Sequence, residues 1–158
     1  MENPVSLRPV GGEDLSQILE IEKTVHLAPW SLESFQAELV KPESTLWVLT
    51  DDETDSEISG YIVYRVLFES FEILNLAVSL SARGLGYGKL MVRKVVDQAI
   101  RQGAKKIILE VRKSNQAAIQ LYQKTGFETV QVRKNFYSNG EEAYHMELKL
   151  DSEQVESL

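Results

Sequence analysis

The fold of this protein is decided by the stretch Asn75-Leu-Ala-Val-Ser-Leu-Ser-Ala-Arg-Gly-Leu-Gly-Tyr-Gly-Lys89. It predicts a short apolar strand, a glycine-rich bend and the opening of an amphipathic helix. Three glycines at alternate positions leave backbone N–H groups bare and let the chain approach a ligand closely. The helix N-terminus behind them adds partial positive charge, and Arg83 and Lys89 add full charges. The stretch therefore predicts a site for a phosphate-bearing cofactor.

Two well-known phosphate loops do not fit this bend. A Walker loop needs a glycine where this chain has Arg83, and Ser or Thr where it has Leu90. A dinucleotide fingerprint needs a third glycine where Lys89 stands. The bend could also serve only as a strand-to-helix turn. Its position between an apolar strand and a long helix favours cofactor binding.

The composition limits the chemistry that the chain can perform. It has the length of one domain, 158 residues, and no cysteine, which excludes disulfides, thiolate zinc sites and a cysteine nucleophile. The two histidines, His26 and His145, have no carboxylate at metal-ligand spacing. We therefore expect no metal, and we expect each histidine to be a surface or packed residue without a functional role.

Charge and hydropathy bear on location and partners. The formal charge of −7 disfavours nonspecific binding to nucleic acid. No apolar run approaches the roughly 20 residues that span a bilayer, and the N-terminal residues do not form an export signal. We therefore expect a cytoplasmic protein that binds neither membrane nor nucleic acid directly, and we favour a monomer.

Hydrophobic periodicity predicts elements in the order β-α-α-β-β-β-α-β-α-β-β, in one domain over 1–150 with an acidic tail over 151–158. Hairpins imply antiparallel neighbours, and the helix after the bend implies a parallel pair around it. Its buried stripe is predicted to be Leu90, Met91, Val95, Val96 and Ala99. The predicted strands are Val5–Val10, Thr45–Thr50, Ile58–Phe68, Phe71–Val78, Lys106–Val111, Phe127–Tyr137 and Ala143–Leu150. The predicted helices start near Glu13, after a cap at Ser31, at Gly88 and after a cap at Ser114.

With these motifs in place, the chain resembles the GNAT superfamily of acetyl-CoA-dependent N-acetyltransferases. The run Arg83-Gly-Leu-Gly-Tyr-Gly88 matches the family's pyrophosphate signature, Gln/Arg-x-x-Gly-x-Gly/Ala. The similarity covers nearly the whole length and is closest to the ribosomal-protein-alanine N-acetyltransferases of the RimI type. One departure is Ser79-Leu-Ser81, where relatives commonly carry an acidic residue and a proline. Further matching segments are Ala28–Ser31, Glu72–Val78, Leu109–Arg112, Ser114–Asn115, Ala118–Ile119, Leu121–Tyr122, Gly126–Phe127 and Arg133–Tyr137.

The resemblance implies both a fold and a reaction. The fold is an α/β (α+β) single-domain GNAT fold, with a mixed, mostly antiparallel seven-stranded sheet flanked by about four helices. The cosubstrate is acetyl-CoA, and the acceptor is the N-terminal α-amino group of a protein, with the alanine of a ribosomal protein favoured. Alternatives are another amine, such as a small metabolite, a lysine or other protein N-termini, or a protein that binds acetyl-CoA without turnover. The implied cofactor-binding residues are Leu76, Ala77, Val78, Arg83, Gly84, Leu85, Gly86, Tyr87, Gly88, Lys89 and Asn115.

The resemblance makes Glu110 the general base that takes the amine proton. In the sequence it interrupts an apolar strand, and burial beside apolar neighbours would raise its pKa from about 4.3 toward neutrality. A water could relay the proton. From the residue alone, a salt-bridged strand carboxylate is the alternative. Because the chain lacks cysteine, we expect direct attack of the amine on the thioester in a ternary complex.

The resemblance assigns roles to further side chains. Tyr122 is implied as the acid for the departing thiolate, although its helical spacing alone suggests core packing. Asn115 is implied as a hydrogen-bond partner of the pantetheine arm, and helix capping is its alternative. The candidates for acceptor binding are Trp30, Phe136 and Tyr137 as walls of a cleft, with ordinary packing as their alternative, and Glu72 as a reader of substrate charge.

Overall fold

The structure, a computed structural model, describes residues 5–51 and 57–150. The order of strands and helices is the predicted one. The acidic loop and the acidic tail lie mainly outside the described residues. The strands are β1 (Val5–Pro9), β2 (Ser44–Asp51), β3 (Ile58–Val66), β4 (Ser70–Val78), β5 (Lys106–Arg112), β6 (Glu128–Arg133) and β7 (Ala143–Lys149). The helices are α1 (Leu15–Val25), α2 (Leu32–Leu39), α3 (Tyr87–Arg101) and α4 (Gln116–Lys124), with 3-10 turns at Gly12–Asp14 and Leu80–Ala82.

The seven strands form one mixed sheet in the order β1-β2-β3-β4-β5-β7-β6. Four of its pairs are antiparallel in the residues described: β1–β2, β2–β3, β5–β7 and β6–β7. Strands β4 and β5 are parallel, because the chain returns through α3 between them. The predicted mixed and mostly antiparallel sheet is therefore confirmed.

Two compact units share the chain. The first comprises Met1–Arg65 and Asn75–Met91, and the second comprises Val66–Leu74 and Val92–Leu158. Within the described ranges, no helix is long and apolar enough to cross a bilayer. The first unit's largest fully buried side chains are Tyr61, Phe35, Ile18, Leu49, Ile62, Met91, Glu22 and Val48. Those of the second unit are Phe71, Ile107, Leu109 and Met146.

Helix α3 buries most of the predicted stripe. Met91, Val95, Val96 and Ala99 are buried, but Leu90 is 39% exposed, so the prediction for that residue is wrong. At 100° per residue, the buried positions cluster on one side of the helix, and Leu90 projects from nearly the opposite side.

Helix capping follows the prediction at one helix and shifts by one residue at another. Ser31 caps α2, and its hydroxyl accepts from the Ser34 N–H at 3.1 Å. The predicted cap Ser114 is wrong, because the Asn115 side chain accepts from the Ala118 N–H at 3.1 Å. The Ser114 N–H instead donates to Glu141 at 2.8 Å, which places Ser114 in the turn before the helix.

An ion pair ties β1 to the start of α1. Arg8 donates to both Asp14 carboxylate oxygens, at 2.8 and 2.9 Å, and the Gly11 N–H donates to Oδ2 at 2.8 Å. The pKa of Asp14 is lowered, first by the hydrogen bonds from Arg8, which outweigh the effect of burial. The carboxylate is therefore held in its charged form at the point where the first strand turns into the helix.

We expect Asp14→Asn to reduce the free energy of unfolding by about 2 kcal/mol at pH 7, because hydrogen bonds to a charged group are lost. The pKa of Asp14 in the folded protein lies below the ordinary value of 3.8. The stabilisation is therefore fully present above pH 3.8, and it is lost as the pH falls through the pKa of the folded protein. Urea unfolding at pH 7 and pH 3 measures the difference. The exposed Asp97→Asn is the control. An equal difference at both pH values would contradict the assignment.

Candidate active site

The glycine bend leads directly into the first turn of α3. Gly84 and Gly86 both have φ of +82°, in the left-handed region that glycine adopts readily. The first hydrogen bond of the helix runs from the Leu90 N–H to the Gly86 carbonyl at 3.0 Å, so the N–H groups of Tyr87, Gly88 and Lys89 have no partner within the helix. A Cβ built on either glycine would meet no atom within 4 Å. The bend thus combines unpaired N–H groups at the helix start with open space at both glycines, and the exposed Arg83 and Lys89 lie beside it.

The C-terminal half of β4 extends past its parallel partner. The ladder between β4 and β5 runs from Ser70↔Lys106 to Ile73↔Leu109, while β4 continues to Val78. Its hydrogen bonds to β5 therefore do not reach the last three residues of the strand. These are the predicted cofactor-aligning residues Leu76, Ala77 and Val78.

Glu110 lies among charged side chains. Its Oε1 is 2.7 Å from His145 Nδ1, and its Oε2 is 3.3 Å from Arg133 Nε. The predicted apolar surroundings are therefore wrong. Residues on either side of it in the strand, Leu109 and Val111, are buried on the opposite face, because side chains alternate along a strand.

His145 stands directly opposite Glu110 in the β5–β7 pair. It is only 8% exposed, and its Nε2 lies 2.8 Å from Glu147 Oε2. The prediction of a histidine without a role missed this arrangement, as it missed Arg133 and Glu147. Because side chains alternate between the two faces of a strand, the spacing of two residues between His145 and Glu147 places both on one face, and this can be read from the sequence. The pairing that brings this face to Glu110 could not be found from the sequence.

Tyr122 is buried on α4, 6% exposed, with its ring centroid 5.5 Å from that of Phe127. Its pKa is raised by burial and then by the nearby Tyr137. The pKa of Tyr137 is raised by burial; Arg112 lowers it, and Glu110 raises it further. The second unit therefore brings Tyr137 within electrostatic range of both Glu110 and Tyr122.

The other predicted residues of this unit are more exposed. Phe136 is 46% exposed and meets the Tyr137 ring edge-on, at 5.0 Å between centroids. The Arg112 guanidinium lies 3.8 Å from the centre of the Tyr137 ring. Glu72 pairs with Ile108, two residues before Glu110, and so shares its face of the sheet. Asn115 acts as the helix cap described above.

In the first unit, Trp30 is held by a carboxylate that the sequence did not single out. Glu22 is 1% exposed, and its carboxylate accepts hydrogen bonds from the backbone N–H of Trp30 at 2.9 Å and from Asn75 Nδ2 at 2.8 Å. It also accepts from the Tyr61 hydroxyl, whose pKa is raised by burial and then by the Glu22 charge. The Trp30 ring lies 5.1 Å from that of Phe35. A buried carboxylate thus fixes the segment that carries this aromatic side chain.

Comparison with known proteins identifies the family. Residues 13–127 match the model of the acetyltransferase (GNAT) family. This chain belongs to that family. The resemblance noted in the sequence is therefore confirmed. Within residues 5–51 and 57–150, no group of His, Cys, Asp or Glu side chains could hold a metal ion.

Individual relatives of this GNAT protein carry more specific names. It is 31% identical over 147 residues to a Bacillus subtilis protein provisionally named ribosomal protein bS18-alanine N-acetyltransferase, covering 92% of this chain and 96% of the relative. The Haemophilus influenzae enzyme of that name is 32% identical over 124 residues, covering 78% and 82%. The crystal structure of the ribosomal-protein-S18-alanine N-acetyltransferase from Escherichia coli superposes with a TM-score of 0.82 at 26% identity, covering 94% and 95%.

Proposed function

We propose that this GNAT protein transfers the acetyl group of acetyl-CoA to the N-terminal α-amino group of a protein. The observation that carries the proposal is the glycine bend over residues 83–88 together with the row of N–H groups in the first turn of α3, which have no partner within the helix. Such a row, at the positive end of a helix dipole, suits the diphosphate of coenzyme A. Arg83 and Lys89 would add charge, and the backbone of Leu76–Val78 would align the pantetheine amides as an added strand does.

In the proposed reaction, the amine nitrogen bonds to the acyl carbon, the C–S bond breaks and the thiolate leaves. An α-amino group has a pKa near 8, so only about a tenth of it is neutral at pH 7. Glu110 would take the amine proton, directly or through a water. A positioned base of this kind contributes about 100- to 10,000-fold to the rate.

Tyr122 would stabilise the departing thiolate by donating a hydrogen bond. A phenol has an ordinary pKa near 10, above that of a thiol near 8.5, so complete transfer of its proton to the thiolate is unfavourable. Burial raises the pKa of Tyr122 further, which keeps the hydroxyl protonated and able to donate. Asn115 caps α4 through its oxygen, which leaves its amide N–H groups for the pantetheine arm.

The acceptor we propose is the N-terminal alanine of a ribosomal protein, supported by the names of the relatives. Trp30, Phe136 and Tyr137 would wall the acceptor site, and Glu72 would attract a positive charge near the substrate's N-terminus. Because ribosomal proteins are made in the cytoplasm, that is where we propose that the enzyme acts. A different amine is the competing proposal, since these aromatic side chains fix no particular acceptor.

A peptide assay tests the function. Purified protein is mixed with acetyl-CoA and a peptide from a ribosomal protein beginning with Ala, and released thiol is measured. Controls are the same peptide with a blocked N-terminus and an internal lysine, and a polyamine. We expect release only with the free N-terminus. Release with the lysine or polyamine instead would redirect the proposal to another amine, and binding of acetyl-CoA without release would indicate a non-catalytic protein. Mass spectrometry of ribosomal-protein N-termini, with and without the gene, identifies the acceptor.

A further inference from the structure

His145 is placed between two carboxylates, and this arrangement constrains its protonation. Nδ1 lies 2.7 Å from Glu110 Oε1, and Nε2 lies 2.8 Å from Glu147 Oε2. Ionised carboxylates only accept hydrogen bonds, and a neutral imidazole has one N–H. Both contacts are satisfied together when the ring is an imidazolium that donates from each nitrogen.

The charged groups around the ring are consistent with this form. Strand β5 contributes Glu110 and Lys106, whose Nζ lies 3.4 Å from Glu147 Oε1. Strand β6 contributes Arg133, and β7 itself contributes Glu147. The pKa of Glu147 is lowered, first by its hydrogen bond with His145, so this carboxylate stays charged. Two acceptors therefore face one ring from opposite sides.

The two carboxylate oxygens of Glu110 have different partners. Oε1 is occupied by His145, whereas Oε2 is buried and has no hydrogen-bond partner among the described residues. Arg133 Nε lies 3.3 Å from Oε2, but it too makes no hydrogen bond. Oε2 thus has only the ion pair with Arg133, whereas Oε1 is held by the hydrogen bond with His145.

We infer that His145 is a positioning residue: its ring, fixed from behind by Glu147, anchors Oε1 of Glu110 and so holds this carboxylate in place as the base. The inference rests on the proposed function, because Glu110 is the base of that reaction. It adds a side chain on β7 that touches neither the acetyl group nor the amine. It also explains why a histidine and two acidic residues share one face of the sheet there.

Two substitutions of His145 separate positioning from general packing. In His145→Asn the amide nitrogen takes the place of Nδ1, so the donor to Glu110 is kept. In His145→Gln the amide nitrogen takes the place of Nε2, so only the donor to Glu147 is kept. We expect kcat to fall about tenfold or more in His145→Gln, because a hydrogen bond to a charged group is lost. His145→Asn should stay nearer to wild type, with KM for acetyl-CoA unchanged in both. A wild-type kcat in His145→Gln, or an equal loss in the two variants, would overturn the inference.

A second measurement needs no turnover. The chain has two histidines, so His26→Asn leaves His145 as the single imidazole for ¹⁵N NMR. The inference requires a proton on Nδ1, toward Glu110; a bare Nδ1 would overturn it and leave the proposed function standing. If the wild-type protein releases no thiol with any amine, the proposed function fails, whatever the ring's protonation.

Discussion

We expect Glu110→Gln to lower kcat by about 100- to 10,000-fold, because the amide cannot take the amine proton. The amide oxygen still accepts from His145, so the local packing is kept. Affinity for acetyl-CoA should be nearly unchanged, since the proposed diphosphate site lies in the 83–89 bend. The residual rate should rise with pH as the N-terminal amine loses its proton, with a midpoint near pH 8, whereas the wild-type rate should depend less on pH.

Steady-state kinetics from pH 6 to 9 and isothermal titration with acetyl-CoA measure these effects. Glu128→Gln is the matched control, because Glu128 is an exposed carboxylate on β6, which β7 separates from the strand of Glu110, and the change should leave both parameters unchanged. A thermal melt checks that the variants fold alike. Full activity of Glu110→Gln across this range would remove Glu110 from the role of base.

We expect Gly86→Val to weaken binding of acetyl-CoA by about tenfold or more, or about 1.4 kcal/mol. An added Cβ at Gly86 meets open space, and Gly86 directly precedes the first turn of α3, so the new side chain would occupy the position proposed for the diphosphate. The loss of stability from backbone strain has to be separated from this loss of affinity. At φ of +82°, any side chain strains the backbone by roughly 1–2 kcal/mol.

Gly103→Val supplies the matched control for strain. Gly103 has φ of +75°, an added Cβ there also meets nothing within 4 Å, and it follows the other end of α3. Both variants should lose similar stability, but only Gly86→Val should lose affinity. Acetyl-pantetheine, which lacks the diphosphate, should be used equally well by Gly86→Val and wild type. An unchanged dissociation constant for acetyl-CoA in Gly86→Val would place the diphosphate elsewhere.

Much of the fold could be predicted because its signals are local. The order of strands and helices follows from hydrophobic periodicity and from glycines between elements, and each signal spans a few neighbouring residues. The predictions were wrong where a local rule is satisfied about equally well by two adjacent residues. The cap of α4 moved from Ser114 to Asn115, and Leu90 fell outside the buried stripe, because one residue changes the helical angle by 100°.

The sequence by itself determined the glycine bend, the order of the elements and the family, since all three are read along the chain. Only the tertiary structure decided which side chains surround Glu110. His145 is 35 residues away in the chain, and the β5–β7 pairing that brings it to 2.7 Å is a non-local choice. The same holds for Glu22, which meets Asn75 across 53 residues. Strand pairing and burial set these neighbours, and neither is encoded in any single segment.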